Sequence, residues 1–152
     1  MSVGGGFTGL VITLQMLFSP QVNSPPLAII CTIFILLYLF VLISGLLFVH
    51  NPQRVMPLAV ALVLQIPIVS SPILSFQFVA GCMMGGGVTE AGPFGGVKIG
   101  ADWQFNVLRA LPWGVGINVI PLILFFALAW SVSRQHRRQQ AVPSMQMEPV
   151  TK

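Results

Sequence analysis

The stretch LAIICTIFILLYLFVLISGLLFV, Leu27 to Val49, is the most informative part of the sequence. It holds 23 residues without an ionisable side chain, and 17 of them are Leu, Ile, Phe or Val. Insertion of these 17 side chains into a bilayer is favourable by about 5 to 10 kcal/mol. At helical rise the stretch is about 34 Å long, enough to cross a hydrocarbon core of about 30 Å. It therefore predicts a transmembrane helix.

The composition predicts an integral membrane protein. Of the 152 residues, 55% are hydrophobic and only 7% are charged, and the mean hydropathy is +0.90. So few charges are typical of a chain surrounded by lipid. The length allows three or four crossings and leaves no room for a separate soluble domain. We therefore predict a membrane all-α fold, a polytopic helical protein with three transmembrane helices and a fourth as an alternative.

The other two spans are predicted at 55–71 and 114–132, so that the transmembrane domain covers 27–133. A short polar connection with Pro52 separates 55–71 from the first span and requires an antiparallel return. Pro67 and Pro72 weaken this second helix, and beyond Pro72 the chain alternates apolar and polar residues as strands do. We expect the chain to leave the helix there in an extended conformation.

The N-terminal segment 1–26 carries no charged side chain. It lacks the basic region and small-residue cleavage site of a secretory signal, so we expect it to be retained. The apolar part from Phe7 to Phe18 is about 18 Å long at helical rise, which is short for a span. We interpret 1–26 as an interfacial or re-entrant segment, with a fourth transmembrane helix over 4–22 as the alternative.

The connection 72–113 is predicted to be an outer loop that is rich in glycine. Residues 101–107 alternate apolar and polar side chains, which predicts a half-buried strand. Together with the extended piece after Pro72 it would form a small β-ribbon. The alternative is an interfacial loop that dips its aromatic side chains into the lipid head groups. In either form we predict a docking surface made of Trp103, Phe105 and Asp102.

The positive charges predict the orientation. Arg54 and the arginines after residue 133 are two predicted crossings apart and share one face, whereas Lys98 and Arg109 lie among acids on the other. The positive-inside rule then places the basic, mobile tail 134–152 in the cytoplasm and the loop 81–113 outside, in a prokaryotic inner membrane. The side chains expected to anchor the protein at the lipid surface are Trp113, Trp130, Arg134, Arg137 and Arg138.

Residues able to carry chemistry are scarce. No ionisable group lies within a predicted span, and Glu90 and Asp102 have no histidine near them in the sequence. We therefore predict no enzyme, no catalytic residue, no metal site and no cofactor. His50 is the one candidate cofactor ligand, and its alternative is a solvated helix end. Three arginines without interleaved aromatic side chains do not indicate nucleic-acid binding.

Polar side chains within the predicted spans need hydrogen-bond partners in lipid. We predict interhelical contacts for Gln65, Asn118, Ser70 and Ser71, with the two amides facing protein rather than lipid. Cys31 and Cys82 are interpreted as unpaired residues.

The expected function is therefore that of a small membrane protein that acts through protein–protein or protein–lipid contacts. It would be an accessory or structural subunit of a membrane complex, or a homo-oligomer. Its partners would be lipids and other membrane protein subunits or copies of itself. The first alternative is a pore-forming or channel-like oligomer of the holin type, with Gln65 and Asn118 around a lumen. The second alternative is a membrane enzyme.

Overall fold

The computed structural model describes residues 2–19, 24–108 and 111–141 and shows a mixed α/β fold. The prediction of an all-α protein is therefore wrong. Within these residues there are four helices and four strands. In chain order they are α1 (Ser2–Leu17), α2 (Pro25–His50), α3 (Met56–Val63), β1 (Pro67–Ser70), β2 (Leu74–Thr89), β3 (Gly92–Val107), β4 (Gly114–Asn118) and α4 (Val119–Ala141).

The prediction of several transmembrane helices is also wrong, because α2 is the one helix in the described part of the chain that is long and apolar enough to cross a membrane. The predicted span 55–71 contains only the eight residues of α3 before β1 begins at Pro67. Proline cannot donate a helical hydrogen bond, so the helix ends before it. The predicted span 114–132 begins as strand β4, whose residues alternate between buried and exposed.

The sheet is antiparallel and curls back on itself. Its strand order is β1-β4-β2-β3, and β1 also pairs with β2. Phe76 and Gln77 near the start of β2 pair with β1, and the last five residues of β2 pair with β4, so one long strand closes the curl. Where Gly81 faces Gly100 in the β2–β3 ladder, both have positive φ (114° and 122°), a conformation that glycine adopts without strain.

The predicted outer loop 72–113 is therefore mostly a hairpin of two 16-residue strands. Both stretches with strand periodicity lie in these strands. The predicted ribbon was too short because the glycines between the two stretches also belong to the ladder. Gly85, Gly86 and Gly87 pair with Gly96, Gly95 and Phe94.

The main core lies between the middle of α2 and one face of the sheet. Phe34 of α2 is 2% exposed and is surrounded by the aromatic side chains of β2 and β3. Its ring centroid lies 4.4 Å from that of Trp103, in a stacked arrangement. One turn further along α2, the Tyr38 hydroxyl donates to the carbonyl oxygens of Val79 and Asp102, each at 3.1 Å. These contacts fix the sheet against α2.

Helix α1 lies beside α2 and also touches the sheet. Its buried positions are small residues, among them Gly5, Gly6 and Gly9. Gly9 lies beside the Tyr38 ring, and Val3 lies beside Gly45, so the two helices run antiparallel. The segment predicted as interfacial or as a fourth span is thus a 16-residue helix packed against α2. Its position relative to a membrane stays a prediction.

Candidate functional site

The most distinctive surface of the molecule is the open edge of the sheet along β3. Only alternate residues of an antiparallel strand exchange hydrogen bonds with a given neighbour, and the residues between them direct their N–H and C=O groups the other way. The Ala80 N–H donates to Gln65 Oε1 at 3.0 Å, and the Met84 N–H donates to Asn118 Oδ1 at 3.2 Å. The backbone N–H and C=O groups of even-numbered residues of β2 therefore point away from β3, on both sides of Gly81.

It follows from the register that the odd-numbered residues of β3 direct their backbone groups to the open edge. Pro93 is one of them. Proline has no N–H to donate, and edge positions of this kind are where strands tolerate it. Among the described residues, none provides a hydrogen-bond partner for the edge-facing groups of Trp103 and Phe105. Within the part of the chain that the structure describes, the edge thus presents free donors and acceptors at these positions.

A groove of about 380 Å³ runs beside this edge. Residues 101–106 of β3 form one wall, and α1 and α2 form the other. Gly9 and Thr13 are two of the residues that α1 contributes, and Tyr38 is one that α2 contributes. The groove therefore gives open space next to the unpaired backbone of β3.

The edge strand also carries an ion pair. Lys98 Nζ contacts Asp102 Oδ2 on the same strand, four residues apart, and both side chains are partly exposed. Gly100 lies midway between them. The pair lies on the sheet face opposite to the aromatic core, because Asp102 and Trp103 point to opposite faces of the strand. It places one positive and one negative charge symmetrically about the centre of β3.

The side chains predicted to form a docking surface have different roles in the structure. The rings of Trp103 and Phe105 pack inward against Phe34, so they belong to the core. Trp103 and Phe105 contribute their backbone groups to the groove, and Asp102 lines the groove beside them. The sequence signal that could have indicated the edge is Pro93 followed by a long alternating strand, but it does not show which strand lies beside it.

Gln65 and Asn118 are both buried, with 4% and 0% of their surface exposed. Besides accepting from Ala80, the Gln65 side chain donates through Nε2 to the Ala61 carbonyl at 2.8 Å. Each amide therefore joins β2 to the end of a neighbouring element, Gln65 from α3 and Asn118 from β4. The contacts to Ala80 and Met84 are made to the sheet and are not interhelical.

Ser70 and Ser71 likewise make no interhelical contact. The Ser70 hydroxyl donates to the Pro112 carbonyl oxygen at 2.9 Å. The Ser71 hydroxyl donates to the Leu74 carbonyl oxygen at 2.8 Å and accepts from the Leu74 N–H at 2.9 Å. Both serines thus stabilise the connections around β1 and the start of β2.

We expect Gln65→Leu to lower the free energy of unfolding by about 2 kcal/mol, because it leaves the buried Ala80 N–H without an acceptor. The control is Gln15→Leu, the same substitution at an exposed position of α1, which should change the value by less than about 0.5 kcal/mol. Denaturant unfolding in detergent, followed by far-UV circular dichroism, measures both. Equal stabilities of the two variants would contradict the assigned role of Gln65.

The remaining titratable residues do not converge. His50 is the exposed last residue of α2, and in the described part of the chain no three metal-binding side chains come together. Glu90 lies in the hairpin turn between β2 and β3, twelve residues before Asp102 in the chain. Cys31 is buried in α2 and Cys82 is half-buried in β2, and both are free.

The predicted lipid anchors are described in part. Trp113 and Trp130 are exposed, and the Arg134 guanidinium carbon lies 5.1 Å from the centroid of the Trp130 ring. This distance is that of a cation–π contact. Arg137 and Arg138 belong to α4, but their side chains are outside the described part, as is the chain from 142 to 152.

Comparisons of the chain with protein-family models, with curated proteins and with solved structures give no significant match.

Proposed function

We propose that this protein is held in a membrane by α2 and acts through contacts with lipid and with other protein chains, as an accessory subunit or a homo-oligomer. The observation that carries the proposal is a stripe of exposed apolar side chains, spaced three or four residues apart, along almost all of α2. They are Ile29, Ile33, Leu36, Leu39, Ile43, Leu46 and Val49. At helical rise the stripe is about 30 Å long, the thickness of a hydrocarbon core.

The outer face of the sheet supports the same proposal. In an antiparallel sheet, side chains directly opposite one another on neighbouring strands lie on the same face, so the registers of β2 with β3 and with β4 show which side chains share a face. The relevant part is the half of the hairpin that α2 does not cover. The side chains on its outer face are apolar and exposed, and Ile99 is 89% exposed. The others are Met84, Val88, Val97, Val115 and Ile117. Contiguous exposed apolar patches mark surfaces that meet lipid or another protein.

An apolar cleft of about 450 Å³ adds a third surface of this kind. It is bordered by residues of all four helices, among them Phe48 of α2, Leu62 of α3 and Leu124 of α4. Its apolar lining suits a hydrocarbon chain. The three surfaces are apolar, so the proposal is one of binding and includes no reaction.

Membrane retention is the direct test. We expect the chain to stay with membranes through an alkaline carbonate wash and to be released by detergent. Leu36→Lys places a charge near the centre of α2 at a cost of about 2.5 to 3.5 kcal/mol, so the retained fraction should fall. Gln53→Lys, in the exposed connection after α2, should leave it unchanged. Release of the unaltered chain by the wash as a monodisperse aqueous protein would contradict the proposal.

For the orientation, we propose that Arg54, just after α2, faces the cytoplasm of a prokaryotic cell, in accordance with the positive-inside rule. The placement of 81–113 opposite the tail assumed three crossings and stays a prediction. A pore is not proposed, because Gln65 and Asn118 are buried within one chain and bonded to β2. Dye release from liposomes by the purified protein is the observation that would favour it.

A further inference from the structure

What covers the open edge of β3 depends on the proposed function, in which α2 crosses a membrane. Tyr38 lies at the middle of α2, and its hydroxyl is bonded to the backbone of β2 and β3 at Val79 and Asp102. When α2 crosses a bilayer, residues 101–106 of β3 are therefore level with the hydrocarbon core. Sheet edges with free N–H and C=O groups do not occur against lipid, because no water is present to satisfy them. A strand paired along this edge would satisfy these groups.

We propose that the covering strand is β3 of a second copy, which pairs antiparallel with it about a two-fold axis at Gly100. In such a pair, the residue numbers of any two residues that face each other add up to the same sum, and this sum defines the register. The sum must be even, because odd-numbered residues carry the edge-facing groups on both strands. A sum of 200 places the axis at the middle of β3 and keeps residues 93 to 107 paired along nearly the whole strand.

The charges select this register among its neighbours. With a sum of 200, Lys98 lies opposite Asp102 of the second copy, and this pairing occurs twice. Sums of 196 and 204 place lysine opposite lysine or aspartate opposite aspartate, which is unfavourable. Sums of 198 and 202 place a charge opposite Gly100. Among these registers, only the one at 200 sets each of the four charges opposite a charge of the other sign on the second copy, in addition to the ion pair within each chain.

The local geometry agrees with this register. Even-numbered residues of β3 become non-hydrogen-bonded pairs across the new interface, and in such pairs the side chains come closest. Lys98 and Asp102 of the second copy are therefore within reach without rearrangement of the strands. At the axis, Gly100 has no side chain, and no atom lies within 4 Å of the place where a Cβ would be.

In this register the partner strand would lie along the groove beside the edge. Opposite the backbone of Trp103 and Phe105 it brings Val97 and Gly95, so that small residues enter the narrow space between β3 and α1. Val97 and Ile99, which are exposed in the single chain, come to lie next to the second copy. A chain with larger side chains at these positions would fit less well.

Charge exchange between two variants tests the pairing. We expect the unaltered protein to be a dimer in mild detergent by light scattering after gel filtration. Asp102→Lys alone and Lys98→Asp alone should each weaken dimerisation by about 100-fold, because each sets like charges opposite one another. Neither variant retains the ion pair within its own chain. An equimolar mixture of the two should nevertheless form heterodimers about as readily as the unaltered protein forms dimers.

A backbone variant gives an independent test. Val97→Pro removes an N–H that faces the edge, so the fold should be retained, as it is with Pro93, while dimerisation is lost. Pro93→Ala is the matched control and should stay dimeric. Circular dichroism confirms that both variants are folded.

The outcomes separate this inference from the proposed function. A chain that is retained in membranes but is monomeric, or variants that fail to form heterodimers when mixed, would overturn the pairing of β3. A chain that the carbonate wash releases but that follows the charge-exchange rule would overturn the membrane proposal and leave the pairing in place.

Discussion

Gly5→Ala is expected to lower the free energy of unfolding by about 3 kcal/mol or more, whereas Gly4→Ala, one residue earlier, should leave it unchanged or raise it. A Cβ at Gly5 would lie 2.3 Å from the Ala80 carbonyl carbon and 2.3 Å from the Gly81 nitrogen. These are backbone atoms of β2, which the β3 ladder holds in place, so α1 would have to move. Overpacking of this kind typically costs about 1 to 3 kcal/mol and sometimes more.

The comparison is informative because the two positions differ in packing and not in helix propensity. At Gly4 no atom lies within 4 Å of an added Cβ, and alanine is favoured over glycine in a helix by about 0.8 to 1.0 kcal/mol. Unfolding in detergent, followed by far-UV circular dichroism, measures both variants. If Gly5→Ala were as stable as Gly4→Ala, α1 would not lie against β2 as described.

The sequence predicts some parts of this fold well, for a physical reason. A run of 23 residues without an ionisable side chain, 17 of them Leu, Ile, Phe or Val, has no other common use than a buried or membrane helix, so α2 is evident. The alternation over 101–107 and after Pro72 likewise reflects the two faces of a strand. Both signals are local, since each depends only on which side chains follow one another along the chain.

The number of spans is not predictable in the same way. A buried strand and a piece of membrane helix are both short apolar runs, and 55–71 and 114–132 fit either. The glycines of the hairpin are a similar case. They suggest turns, yet a Cβ at Gly87 would lie 2.3 Å from the Val115 carbonyl oxygen, so glycine is required there by the close approach of β4. Such a contact joins residues far apart in the chain.

The candidate site follows the same division. The need of Gln65 and Asn118 for hydrogen-bond partners is evident from their apolar surroundings in the sequence. The partners themselves, the amides of Ala80 and Met84, depend on the order of strands in the sheet. The open edge of β3 depends on that order too. The charges of Lys98 and Asp102 are visible in the sequence. Their symmetric positions about Gly100 indicate a pairing with a second copy only when β3 is known to be an edge strand.

Phe34→Ala is expected to lower the free energy of unfolding by about 3 to 5 kcal/mol, the usual cost of removing a buried aromatic side chain. The Phe34 ring lies within 6.4 Å, between centroids, of four others. They belong to Phe76, Phe78, Trp103 and Phe105. Because two of these are on β2 and two on β3, the cavity would open at the centre of the contact between α2 and the hairpin.

Leu36→Ala is the matched control for this prediction. Leu36 lies two residues further along α2, is 60% exposed, and belongs to the stripe assigned to lipid. In detergent its truncation should change the stability by less than about 1 kcal/mol, since no cavity forms. With Trp113 and Trp130 both replaced by Phe, the remaining Trp103 fluorescence reports the difference, because the indole should become more exposed to solvent in Phe34→Ala alone. If instead the two variants were equally stable, α2 would be an anchor that does not support the sheet. The stacking of Phe34 on Trp103 indicates the opposite, that the sheet folds against α2.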